Sequence, residues 1–582
     1  MPRPASSHTD NESFQVEKRE NSQSVSPRQA FHQATPDSET HHSKRQRTGY
    51  TDFTPVASES SPRVSVREAT SPSNPWPDSL ATGSIDHSVA RDWQANPYTT
   101  QPALVTELLN IFFKHVPETA CCMFPERPFK AWVLSGGDKS LDDLMLVYTV
   151  LALGTVFSLK SEHKAIGKQY ASISRYACLN RHFSLQLVQS RLILSLYYFA
   201  TNNANDSWDA CGGALRAASG LRLNVEFEKS EDVYLKTFPY GLNRHGYAEC
   251  RRRTFWSCYL MDRFNGFSFG HSSVIQPEDI FLRLPCDAKS FESEAEVHNP
   301  YFDPTTPPIH NVNWTIGSMA YLINVCTIWG EVMANIYRTT QRPVPLTSGS
   351  AFTTFYENTT QRLRVWKDSL PTCYQFSAEN LKRASDTGKL GTYMTMHTVY
   401  YTTSMKLNRY MPLSNLNASQ TAHHISVAKQ HAETLLVIMD TLAARRTSMP
   451  GPLSPNEQSA STDKLSYPFV GYSIISAIDI LTAKVSLATL PTQLSSFSGA
   501  QSILAELASF WQSARTQQAL VLQRIRDLAE ITTGKDESTG AGAVGFRFGN
   551  MNGVERDTGD RIFEMGDAIE KTVSRDYDCV YA

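Results

Sequence analysis

Ser184 to Phe199, SLQLVQSRLILSLYYF, constrains this chain more than any other stretch. Leu185, Val188, Leu192, Leu196 and Phe199 recur at three- and four-residue steps, which makes one apolar helical face. Ile193, Leu194, Tyr197 and Tyr198 widen that face until little polar surface remains. A helix of that kind belongs at the centre of a core.

Two further helices are expected to follow it. Ser207 to Asn224, SWDACGGALRAASGLRLN, has Asp206 or Ser207 as a natural N-cap and Gly220 where a left-handed C-cap would fall. Its interior is small: Ala210, Gly212, Gly213, Ala214, Ala217 and Ala218. Interior glycines cost roughly 1 kcal/mol each against alanine, and close approach of a neighbouring helix would offset that. Glu249 to Gly270 carries Phe255, Trp256, Tyr259 and Leu260 behind Arg251, Arg252 and Arg253, and is broken at Gly266 and Gly270. The block closes on IQPEDIFLRLP, Ile275 to Pro285.

In order, the block reads V-Q at Gln189, a tryptophan at Trp208, then G-A-L-R-A-A-x-G-L-R-L with Gly213, Arg216 and Gly220. E-x-R-R-R-x-F-W-x-x-x-x-x-D-R follows, with Arg251, Arg252, Arg253, Phe255, Trp256, Asp262 and Arg263. A glycine loop reaching Gly270 and D-I-x-x-x-L-P ending at Pro285 complete it. This resembles the fungal-specific transcription factor domain, the middle regulatory domain of fungal zinc-cluster transcription factors. LLNIFFKHV and FPERPFKAW extend the resemblance upstream. Leu363, Trp366, Leu370, Pro371, His397, Tyr400, Tyr401, Leu407, Arg409 and Pro412 extend it downstream.

The fold class expected is all-α, since apolar periodicity is helical wherever it is strong and no run of alternating strands occurs. A helical regulatory domain is expected in two parts, residues 96–290 and 291–531, with order beginning near Pro102. Residues 1–95 are rich in Ser, Pro and charged residues, too poor in large aliphatics to offset ordering entropy, and are expected to be disordered. The Gly-rich tail, residues 532–582, is read the same way. Lys44, Arg45 and Arg47 form a basic cluster that is either a nuclear-import signal or an ordinary solvated charge cluster.

Several function classes are disfavoured. The run Leu144 to Leu159 is shorter than the roughly 20 residues of a spanning helix and abuts Asp142 and Asp143, so a buried helix is expected. The N-terminus has no apolar signal-peptide core, so the sequons at Asn313, Asn358 and Asn417 are read as chance. Ten scattered cysteines without a C-x-x-C pair fit free, buried thiols in a reducing compartment. Gly540 to Gly545 spells G-x-G-x-x-G without the strand and helix that a dinucleotide site needs. Asp142-Asp143 lacks the later acid of a D-D-x-x-D metal motif, and His423-His424 is expected to be exposed. The chain is therefore read as no enzyme, with a helical enzyme as the remote alternative.

The arginine triplet could meet phosphates or ion-pair within the fold. Three phosphate contacts would give a salt slope of only about −2.7, and cations at a helix N-terminus are disfavoured by roughly 0.3–1 kcal/mol each. Structural pairing with carboxylates such as Glu249 or Asp262 is the favoured reading.

The resemblance implies a nuclear transcription regulator whose domain receives a signal from a small-molecule effector or a partner protein. Family members usually bind two zinc ions in an N-terminal six-cysteine cluster. This sequence has no cysteine before Cys121, so no cofactor is expected in it. DNA contact is expected through a missing module or a partner, alongside other transcription factors or co-regulators, with no membrane. The alternative is a non-DNA-binding co-regulator or inhibitor that dimerises with zinc-cluster factors.

Overall fold

The helix that begins at Leu185 is buried along nearly its whole length, and helices from both ends of the chain pack against it. The computed structural model describes residues 87–117, 120–265, 273–308, 313–341, 349–410, 416–447, 465, 467–482 and 490–532. The first elements are α1 (His87–Trp93), α2 (Pro97–Thr100), α3 (Pro102–His115) and α4 (Glu126–Val133). Then come α5 (Leu141–Val156), α6 (Glu162–Leu179), α7 (Leu185–Ala200) and α8 (Ala204–Gly220). Short 3-10 turns lead into α9 (Arg244–Asn265) and α10 (Ala288–Glu292). The later elements are α11 (Ser318–Gln341), α12 (Gly349–Ser369), α13 (Ala378–Asp386), α14 (Leu390–Arg409) and α15 (Ala418–Thr447). The last are α16 (Phe469–Thr482), α17 (Leu490–Ser495), α18 (Ser498–Ala508) and α19 (Gln512–Thr532).

Polar residues set where these helices start. Ser140 Oγ accepts from the Asp143 N–H at 3.2 Å, and the Asp143 carboxylate accepts from the Ser140 N–H at 3.1 Å. That reciprocal pair satisfies two donors that the start of α5 would otherwise leave open. Asp142 pairs with Arg181. Ser184 caps α7 through the Leu187 N–H, and Ser377 caps α13 through the Asn380 N–H.

Burial explains the apolar runs. α5 is buried from Leu144 through Val156 and packs on α3, α6 and α7. Ser318–Arg338 within α11 is long and apolar enough to cross a membrane by length and composition, yet 83% of its apolar window is buried inside the protein. α11 packs on α9 and α14, α14 on α15 and α16, and α15 on α18. The last helix returns to the first half: α19 meets α7, and Trp511 packs edge-on against Phe157 and at a tilt against Phe199. One core therefore runs through both halves. Among the described residues there is no strand ladder, only the isolated bridges Val225–Phe281, Arg283–Tyr301 and Cys286–Ile316.

The structure departs from sequence expectation in several places. Helix begins at His87, not near Pro102, so residues 87–95 are not part of a disordered segment. Trp93 is buried there, its Nε1 donating to the Leu141 carbonyl at 3.0 Å, and Tyr148 Oη donates to the Asp92 and Ala95 carbonyls at 2.8 Å. A single large ring and a buried tyrosine anchor a segment whose average composition is polar. α8 starts at Ala204, with Asp206 inside its first turn, paired with Arg175, and Ser207 bonded to Ser195. Gly220 is its last helical residue, and the left-handed conformation falls on Arg222 at φ 51°. The expected helix Ser502 to Ile531 is two, because Phe510 and Trp511 turn into the core between α18 and α19. His424 is buried against Asn408 Oδ1 at 2.9 Å, although its neighbour His423 is exposed. Residues 1–86 with Lys44, Arg45 and Arg47, the tail from 533 with Gly540 to Gly545, and Gly266, Gly270 and Pro412 lie outside the described residues.

Candidate functional site

α9 begins at Arg244, so the triplet Arg251, Arg252 and Arg253 lies two turns inside it rather than at its N-terminus. The macrodipole penalty expected from sequence therefore does not apply. Their exposures are 1%, 6% and 3%, and between them they bind the stretch 221–232, Glu249 on their own helix, and the segments at Cys122 and Cys286.

Arg251 closes the exit from α8. Its Nη2 donates to the Leu221 and Arg222 carbonyls at 3.2 and 2.9 Å, its Nη1 to Val225 at 2.6 Å, and its Nε to Asp232 Oδ2 at 3.1 Å. A cation just past the C-terminus of a helix is favourably placed against its dipole. Arg252 pairs with both Glu226 and Glu249. Arg253 donates to Glu249 Oε1 at 2.8 Å, to the Cys286 carbonyl at 2.6 Å and to Cys122 Sγ at 3.0 Å, and lies 4.3 Å over the Phe291 ring. Burial pushes the Glu249 carboxyl up, but Arg252 and Arg253 outweigh it and hold it below its usual range. These contacts leave no guanidinium of the triplet on the surface, so the phosphate reading is set aside.

Glu249 is one of the two carboxylates expected from sequence; Asp262 is not a partner of the triplet. Asp262 accepts from Arg263 Nη1 at 3.0 Å and from the N–H groups of Val274 and Ile275 at 2.9 and 3.0 Å. Burial raises its pKa despite these partners. Arg263 lies 4.4 Å over the Tyr259 ring and donates to the Ile275 carbonyl at 2.5 Å. Asp262 and Arg263 thus fasten the end of α9 to the segment that leads to Pro285.

The other signature residues divide into core and surface. Gln189 is buried, its Nε2 donating to Thr254 Oγ1 at 2.9 Å while its Oε1 accepts from Tyr240 Oη. Tyr240 holds φ at 62°, a left-handed backbone costly for a bulky residue, within a ring cluster of Phe124, Phe129 and Trp132. Trp256 is fully buried and donates Nε1 to the Arg283 carbonyl at 3.1 Å. Phe255, its neighbour in sequence, and Pro285 are also buried, whereas Trp208 and Arg216 stand exposed on α8. Gly213 admits the Arg191 side chain, whose Nη1 donates to its carbonyl at 2.9 Å, while a methyl on Gly212 would meet nothing. The expected close approach therefore involves one glycine and an arginine stem.

Glu226, Asp232 and Tyr240 were not singled out from sequence. Three buried guanidinium groups demanded more carboxylate than Glu249 supplies, but nothing in the spacing located those partners. Nine cysteines are described, all of them thiols. Burial pushes the Cys178 and Cys250 thiols up to about 12, so they pack as neutral groups. Among the described residues no three His, Cys, Asp or Glu side chains converge as a metal site.

The hub formed by these residues lies within a matched region. Residues 133–357 match the family model described as the fungal specific transcription factor domain. The chain carries a fungal-specific transcription factor domain. Its helical body continues past the matched residues through α13 to α19. Similar proteins include an uncharacterized transcriptional regulatory protein of Schizosaccharomyces pombe, 28% identical over 49% of this chain and 30% of that protein. A Zn(2)-C6 fungal-type transcription factor of Fusarium oxysporum f. sp. lycopersici is 29% identical over 40% of this chain and 26% of its own length. A second uncharacterized transcriptional regulatory protein of S. pombe is 24% identical over 49% of this chain and 37% of its own. The matched stretches thus span well under half of these relatives.

Proposed function

We propose that this chain regulates transcription in the nucleus, with its helical domain as the part that receives a signal. The observation that carries this reading is the hub: residues of the fungal-specific transcription factor signature tie α8, α9, the loop at Cys122 and the segment to Cys286 into one body. A small molecule or a partner protein that binds such a body biases its contacts with the transcription machinery, and the reading calls for no catalysis. DNA contact comes from a partner, or from a zinc-cluster module not contained in these residues. Lys44, Arg45 and Arg47 would serve nuclear import.

The test is a fusion of the whole chain to an unrelated DNA-binding domain, read on a reporter carrying that domain's site. A change in reporter transcription over the DNA-binding domain alone is expected. A stably expressed fusion that leaves the reporter unchanged across growth conditions overturns the reading. Substituting Lys44, Arg45 and Arg47 by alanine is expected to shift a fluorescently tagged chain from nucleus to cytoplasm.

A further inference from the structure

A cleft of about 400 Å³ opens over the buried Glu226–Arg252 pair. Its floor is Glu226, Phe227 and Arg252, and its rim carries Lys229, Arg244 and Arg283. Arg252 is occupied by Glu226 and Glu249. The rim cations are not: among the described residues Lys229, Arg244 and Arg283 form no ion pair. Aromatic faces hold two of them in place. The Arg244 guanidinium lies 4.8 Å from the Phe227 ring centre, and that of Arg283 lies 4.7 Å from Tyr301 with Nη1 on the Asn299 carbonyl at 2.7 Å. Arg244 also opens the 22-residue helix α9, where the dipole adds to its positive field. Opposing them at the rim are Glu228 and Glu296, so positive charge is in excess.

We propose that this cleft binds a small multivalent anion, carboxylate or phosphate, held by Arg244, Arg283 and Lys229. A preorganised, stacked guanidinium loses little entropy on forming charge-assisted hydrogen bonds. The volume falls in the range of small-molecule sites, roughly 300–1,000 Å³. The occupant would bridge the 3-10 turn at Phe227–Lys229, the start of α9 and the segment around Tyr301, all tied beneath to the Glu226–Arg252–Glu249 network. Its role as the regulator's effector rests on the function proposed above; the binding itself does not.

Titration calorimetry on the full-length protein, with citrate and inorganic phosphate as separate probes, tests the proposal. Saturable one-to-one binding of either is expected, and which of them binds tells carboxylate from phosphate. Arg244→Gln and Arg283→Gln are each expected to weaken it roughly tenfold or more, with exposed Arg216→Gln as the unaffected control. Lys229→Gln, at an exposed position, is expected to weaken binding without disturbing the fold. No binding of either anion, or binding undiminished in the three cleft variants, overturns the proposal. So does tighter binding of an acidic peptide or a DNA duplex that the same variants abolish. A silent reporter fusion together with intact citrate or phosphate binding would sink the regulator reading and leave the cleft standing.

Discussion

Arg252 and Glu226 meet head to head below the cleft, Nη2 to Oε2 at 2.8 Å and Nε to Oε1 at 3.1 Å. Glu226 Oε1 also accepts the Arg283 N–H at 2.5 Å, so one carboxylate holds both α9 and the segment that carries the cleft rim. The pair is a two-pronged, buried contact in which each partner is costly without the other.

Glu226→Ala is therefore expected to destabilise the protein by about 3–5 kcal/mol, because it leaves part of the Arg252 charge buried without compensation. Glu226→Leu combined with Arg252→Met is expected to recover much of that loss, since an apolar pair of similar volume needs no desolvation offset. Urea midpoints of Glu226→Leu, Arg252→Met and the double variant decide it. A double variant as unstable as the sum of the singles would show that the network does more than neutralise itself.

Glu249 gives a pH dependence with a definite sign. Its folded-state pKa is held below the ordinary value of 4.5, so its ionised form favours the fold. That contribution is fully present above the unfolded pKa and is lost as pH falls through the folded value. Asp262, with its pKa raised by burial, works in the opposite sense over the same acid range. Glu249→Gln is expected to lower stability at neutral pH and to flatten the acid limb between about pH 5 and about pH 3. Thermal melts of the wild type and the variant across that range check it; parallel acid limbs would remove Glu249 from the account.

Local patterns were legible in the sequence, and long-range partners were not. The helical period of α7 and the small residues of α8 follow from spacing alone. So does Glu249, three and four residues from Arg252 and Arg253 on one helix face. Glu226 and Asp232 sit on or beside 3-10 turns, 26 and 19 residues from their arginines, where no periodicity points. Asp262 had the right charge but stands nine or more residues on from the triplet, about 13 Å or more along the helix axis. Trp93 was lost in a polar average, because composition sums over a window while a single buried ring decides the local outcome.

Trp256 is 0% exposed, packs edge-on against Tyr259 and Phe302, and gives its N–H to the Arg283 carbonyl. Trp256→Ala is expected to cost about 3–5 kcal/mol through the cavity it leaves. Trp256→Phe keeps much of the ring but strands the Arg283 carbonyl, for a loss of about 1–3 kcal/mol. Because that carbonyl belongs to a rim residue of the cleft, the Phe variant is also expected to weaken citrate or phosphate binding. Denaturation midpoints together with calorimetry separate the two effects; a variant with unchanged midpoint would show that the indole is not part of the core.

Two helical glycines should answer the same substitution with opposite signs. Gly212 lies exposed in the interior of α8, and a Cβ there would have nothing within 4 Å. Gly212→Ala is expected to stabilise by roughly 0.5–1 kcal/mol, because alanine gives up less backbone entropy on folding. Gly154 lies in α5 where α3 crosses, and its Cβ would come within 2.6 Å of the Leu108 carbonyl oxygen, a backbone atom that cannot swing aside. Gly154→Ala must push the two helices apart, at a cost of about 1–3 kcal/mol or more. Thermal melts of the two variants against the wild type are sufficient. Equal shifts of the same sign would mean that α3 and α5 do not pack at the distance described.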